Sequence, residues 1–183
     1  PHAGSDLGLC RTKAVPMADG RHALSGTKIF ISGGEHDLTD NIVHLVLARL
    51  PDSPPGPKGL SLFLCPKFYE NGSRSAAVCE RIEEKMGQHA SDTAQILLEN
   101  CRIPEQNLLG AEGEGYRIAL ANLEAGRIGI AAQSVGMARA AFEAALKYAQ
   151  EREAFGKPII EHQAVNFRLA DMATQIEAAR QLV

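Results

Sequence analysis

The chain has 183 residues, enough for one ordinary domain or two small ones. Hydrophobic residues make up 45%, charged residues 22%, and the formal net charge is −3. That balance argues against intrinsic disorder and leaves no general attraction to nucleic acid or to an anionic membrane. No apolar run approaches the ~20 residues that span a bilayer.

In chain order, the first part reads as short runs of Val, Ile, Leu and Phe broken by Gly and Pro clusters. Strands are predicted at Leu9–Val15, Thr27–Ser32, Ile42–Ala48, Leu60–Cys65, Ala77–Ile82 and Ala94–Leu98. Turn signals at 18–20, 32–34, 54–57 and 71–73 separate them. Strands without intervening helices predict an antiparallel sandwich or barrel. The character changes near residue 107, which sets the predicted domains at 1–107 and 108–183.

After that point the period is helical. Ala131, Val135, Ala138, Phe142, Leu146 and Ala149 share one face of a helix that starts after the glycines at 113–115 and stops near Gly156-Lys157-Pro158. A second helix begins near Glu161, with Val165, Leu169, Met172, Ile176, Ala179 and Val183 as its seam. That seam runs uncapped into the last residue. The chain also opens directly on PHAGSD, so it reads as an interior piece of a longer protein whose partner helices lie elsewhere.

Several groups invite chemistry, each beside a plainer alternative. The run Gly110–Gly115 precedes a helix and could receive phosphate, but it lacks GxGxxG spacing and a βαβ unit, which favours a flexible lead-in. Glu35-His36-Asp37 resembles a metal cluster, yet adjacent residues on a turn rarely converge on one ion, so no metal is assigned. The four cysteines, Cys10, Cys65, Cys79 and Cys101, contain no CxxC and read as buried reduced thiols. Ser5 and Ser32 could donate hydrogen bonds to a cofactor, with Phe30 as a flat apolar contact, or mark only a turn and a strand. Arg152, at a helix end before a Gly/Pro turn, suits phosphate recognition or simply favours the helix dipole. Glu124 and Arg127 share a helical face, as a ligand contact or as a surface ion pair. Gly126 and Gly129 beside them suggest a close approach to the backbone.

Taken in order, AGSD, KIFISGG, KMGQHASDTA and REAFGKPI resemble the FAD-dependent acyl-CoA dehydrogenases, and the similarity covers nearly the whole chain. The resemblance implies an α+β multidomain fold: an antiparallel β-sandwich or barrel domain followed by part of a four-helix bundle. This chain would supply most of the middle β-domain and the first two bundle helices. It implies that Ser5, Phe30 and Ser32 contact the flavin. Arg152, Phe155 and Gln163 would receive the FAD of a neighbouring subunit, and Glu124 and Arg127 the pantetheine of coenzyme A. The implied reaction is α,β-dehydrogenation of an acyl-CoA thioester to the trans-2-enoyl-CoA. A glutamate removes the α-proton, and the β-hydrogen leaves as hydride to the flavin.

The resemblance places the catalytic base beyond Val183 in most members, and on the first bundle helix in one branch. There the matching position is Gly126, which has no side chain, and Glu124 lies about 200° around the helix. His89 stands where KMGxR members carry Arg. Residues 30–68 look like the larger branch with a C-terminal extension, whereas residues 85–183 look like the short- and medium-chain branch, so acyl length is open. The implied partners are an electron-transfer flavoprotein and further copies of the chain in a homo-oligomer, dimer or tetramer. The implied setting is the cytoplasm of a bacterium or the mitochondrial matrix of a eukaryote. Rival readings are an acyl-CoA oxidase or flavin monooxygenase relative, marked by peroxide release, and a non-catalytic helical-bundle module, marked by the lack of yellow colour.

Overall fold

The computed structural model describes residues 6–183. The chain divides into two compact units, Pro1–Leu120 and Ala121–Val183. The predicted domain boundary at 107 precedes this division, because Gly115 and the turn after it belong to the first unit.

The first unit is one curled seven-stranded sheet. Its strands are β1 (Lys13–Pro16), β2 (Arg21–Ser32), β3 (Val43–Arg49), β4 (Leu60–Pro66), β5 (Ala77–Ile82), β6 (Thr93–Pro104) and β7 (Leu108–Leu109), in the spatial order β5-β6-β2-β1-β3-β4-β7. All pairs are antiparallel except β1 with β3, which run parallel at Lys13 and Arg49. The sheet is therefore mixed where an antiparallel one was expected. The first predicted strand also starts late. Leu7–Leu9 forms a 3-10 turn, and strand pairing begins only at Lys13.

β2 reaches back to Arg21 because Gly20, at φ 76°, turns the chain so that His22 pairs with Pro16. A register shift falls between Leu24 and Gly26. Gly26 has φ 149°, and a Cβ there would lie 3.0 Å from the Thr12 Cα, so only glycine fits.

Curling brings β4 and β6 face to face although three strands separate them in the sheet order. Between the layers lie Phe63 of β4, Leu24 of β2, Val46 and Ala48 of β3, and Ile96, Leu98 and Ile103 of β6. Burial of each of the larger of these side chains contributes roughly 1.5–3 kcal/mol. Arg49 fastens the loops at one end of the sheet. Its guanidinium donates to the carbonyls of Gly8 (2.7 Å), Cys10 (2.9 Å), Pro54 (3.1 Å) and Gly56 (2.8 Å). Four neutral acceptors satisfy this cation without a carboxylate.

Helix α1 (Gly115–Glu151) has 37 residues and is about 55 Å long; α2 is Gln163–Leu182. Within the second unit, the least exposed positions of α1 are Ala131, Val135, Phe142, Leu146 and Ala149. Those of α2 include Val165, Leu169, Met172, Ile176 and Ala179. This is the seam read from the 3.6-residue period, apart from Ala138 and Val183, which are exposed.

α1 ends five residues before Gly156. A small hairpin follows where only a Gly/Pro stop was expected, with β8 (Glu153–Ala154) paired to β9 (Lys157–Pro158). Its turn residues, Phe155 and Gly156, have φ 54° and 78°, the positive values that a tight two-residue hairpin turn needs. No helix among the described residues is long and apolar enough to cross a membrane.

Candidate functional site

Phe30 lies near the end of β2, inside a register shift between Lys28 and Ile31. Its φ is 59° and it is 67% exposed. Left-handed backbone costs an L-residue about 1–2 kcal/mol, and here the distortion lifts an aromatic ring out of the core. Ser32, two residues on, is also exposed.

The segment after β2 is clamped to the start of β6. Gly33 donates its N–H to the Asp92 carbonyl (3.3 Å), and Glu35 donates its N–H to the Asp92 carboxylate (3.0 Å). At Gly34 a Cβ would come within 2.7 Å of the Ala94 Cβ, so glycine permits this close approach. KIFISGG and KMGQHASDTA, about sixty residues apart in sequence, are thereby made neighbours. Sequence reasoning took no site residue from the second motif. Its Asp92 positions the strand end that carries Phe30 and Ser32, and the Ser-Asp-Thr at 91–93 was the available signal.

The Glu35-His36-Asp37 turn is engaged locally. Glu35 pairs with Lys67, and the His36 Nδ1 accepts the Leu38 N–H at 3.3 Å. Among the described residues, no group of three His, Cys, Asp or Glu is placed to hold a metal ion. Behind β2, Lys28 donates to the Leu47 carbonyl (2.7 Å) and to Cys10 Sγ (3.4 Å). Burial raises the Cys10 thiol, but the Lys28 ammonium and hydrogen bonds from Thr12 and Lys28 outweigh it, leaving the thiol below its ordinary value. Ser5 lies outside the described residues.

In the second unit the candidates form two groups. Glu124 and Arg127 are exposed one turn apart on α1 and make no ion pair with each other. Nothing among the described residues lies within 4 Å of a Cβ placed on Gly126 or Gly129, so the chain itself provides no close approach there.

Arg152, Phe155 and Gln163 fall within the short connection between α1 and α2. Arg152 ends the helix with its N–H on the Tyr148 carbonyl (2.8 Å), and its own carbonyl accepts the Ile159 N–H (2.8 Å) across the hairpin. The Arg152 side chain is exposed and has no carboxylate partner among the described residues. Phe155 is 97% exposed and meets the His162 ring edge-on, with centroids 5.9 Å apart. The His162 Nε2 lies 3.0 Å from the Ala154 carbonyl, which steadies that ring. Sequence reasoning did not single out His162, the ring beside Phe155.

Comparison with known proteins identifies the family. The family model for the acyl-CoA dehydrogenase middle domain matches residues 1–101, and that for the acyl-CoA dehydrogenase C-terminal domain matches residues 113–183. An acyl-CoA dehydrogenase of Bacillus subtilis is 45% identical over 183 residues, covering all of this chain and 45% of that protein. The structure of butyryl-CoA dehydrogenase from Megasphaera elsdenii superimposes with a TM-score of 0.84 at 40% identity, covering all of this chain and 45% of that one. An acyl-CoA dehydrogenase from Bacillus anthracis solved with FAD gives a TM-score of 0.81 at 31% identity, over 98% of this chain and 29% of that one. The chain spans less than half the length of these relatives. With a curled β-sheet unit, two long helices and a domain model matched on each side of residue 107, the chain belongs to the acyl-CoA dehydrogenase family.

Proposed function

We propose that this chain works as part of an FAD-dependent acyl-CoA dehydrogenase. In it, residues 1–107 form the middle β-domain and residues 108–183 the first two helices of the C-terminal bundle. The observation that carries the reading is Phe30, an exposed aromatic ring held at a strained φ on a bulged strand end, beside the exposed hydroxyl of Ser32. Strain at an exposed aromatic is retained where a flat ligand needs the ring.

These residues fit FAD. Phe30 offers an apolar edge, Ser5 and Ser32 offer hydroxyl donors, and the exposed Arg152 fork suits a pyrophosphate. Bound FAD supplies the hydride acceptor. Arg152, Phe155 and Gln163 take up the FAD of a second copy in a homo-oligomer, while Glu124 and Arg127 hold the pantetheine of an acyl-CoA. The base that removes the α-proton lies outside this chain. Gly126 has no carboxylate, and Glu124 points to another side of α1. Electrons pass on to an electron-transfer flavoprotein. The setting is the cytoplasm in a bacterium and the mitochondrial matrix in a eukaryote.

The test uses the full-length parent. It is expected to purify yellow, to bleach anaerobically with an acyl-CoA, and to run as a dimer or larger. Arg152→Met is expected to lower FAD occupancy. A monomeric parent holding FAD at full occupancy would rule out the shared site, and a colourless one would favour a non-catalytic bundle module.

A further inference from the structure

We propose that Cys65 and Cys101 form a peroxide-oxidisable dithiol, which closes a disulfide across the core of the curled sheet. The two sulfurs lie 3.3 Å apart, and both residues are fully buried. Cys65 is on β4 and Cys101 on β6, strands that meet only because the sheet curls, so the bond would join its two halves. Forming it requires the sulfurs to close from 3.3 Å to about 2.05 Å.

Tyr69 borders the pair and is itself only partly buried. The Tyr69 hydroxyl sits 3.9 Å from Cys101 Sγ and donates to the Arg102 carbonyl at 2.7 Å. Tyr69 also lines a surface cavity of about 420 Å³ with Arg21, Arg74, Asn100 and Arg102. A small uncharged oxidant in that cavity meets the same Tyr69 side chain that borders Cys101.

Each sulfur is the other's hydrogen-bond partner, so a proton leaving one thiol is compensated by the S–H of its neighbour, and either can serve as the nucleophile. One thiol ionises, its thiolate attacks one oxygen of hydrogen peroxide, the O–O bond breaks, and the hydroxide released takes up the proton the thiol gave off, leaving a sulfenic acid and one water. The other sulfur then attacks the sulfenic sulfur, the S–O bond breaks, and the departing hydroxide leaves with the second thiol's proton as the second water. In sum, two thiols and one peroxide give one disulfide and two waters.

The test treats the folded chain with hydrogen peroxide, alkylates remaining thiols under denaturing conditions and maps the peptides. The expected result is loss of two of the four thiols, one Cys65–Cys101 linked peptide, and full reversal by dithiothreitol. The same link is expected in a C10S/C79S double variant, and Tyr69→Ala is expected to speed its formation several-fold. The proposal is overturned if both residues are recovered alkylated from oxidised, still-folded chain. A Cys101 sulfinic acid without a linked peptide, or a disulfide through Cys10 or Cys79 instead, would overturn it equally.

Discussion

Phe30 keeps a conformation that glycine would hold without strain. Because the ring is mostly exposed, replacing it removes little packing, while relief of the left-handed φ offsets the added chain entropy. Phe30→Gly is therefore expected to change stability by less than about 1 kcal/mol, read from the urea midpoint of flavin-free protein. The same variant of the full-length parent is expected to retain less FAD, read from the flavin-to-protein absorbance ratio. His44 makes a second residue-scale case. Its imidazole is held below its ordinary value, first by burial, with Glu35 opposing and the Lys67 ammonium adding to the shift. Above about pH 6.5 both folded and unfolded chains carry it neutral. As pH falls through that value the unfolded chain takes up the proton first, so stability drops until pH passes below the folded value. Urea midpoints compared between pH 7.5 and pH 5.5 are expected to fall less in His44→Gln than in the wild type.

Among elements, α1 carries two glycines of opposite meaning. Gly126 sits in open space on an exposed turn, so Gly126→Ala in this chain is expected to raise stability by about 1 kcal/mol through helix propensity alone. Gly115 begins the same helix against β4, where a Cβ would lie 2.6 Å from the Ser61 carbonyl carbon and 2.7 Å from the Leu62 nitrogen. Backbone cannot retreat as a side-chain tip can. Gly115→Ala is expected to cost roughly 1–3 kcal/mol. Thermal or urea unfolding of the two variants side by side tests the sign of each.

At the scale of the whole molecule, the chain alone, supplied with FAD, is expected to show no acyl-CoA dehydrogenase turnover. Proton abstraction needs a carboxylate within hydrogen-bond reach of the α-carbon proton. Gly126 has none, and Glu124 stands about 200° from it around α1. Anaerobic flavin absorbance with a panel of acyl-CoAs checks this. Bleaching that disappears in Glu124→Gln would show that the base lies on α1 after all.

The helical seam from Ala131 to Ala179 was legible in the sequence because a 3.6-residue period is local, and any burial must fall on that stripe. Strand existence was legible for the same reason, through β-branched runs and turn residues. The parallel pairing of β1 with β3 was not, since one ladder contact at Lys13 and Arg49 depends on which distant strands meet. Nor was the strain at Phe30 and Phe155. Motifs mark those positions, but a positive φ on an aromatic contradicts local preference, and only surrounding structure can impose it. The Cys65–Cys101 pair shows the same divide. Their burial was legible from apolar neighbours, whereas their 3.3 Å approach follows from the curl of the sheet, which no segment of the chain encodes alone.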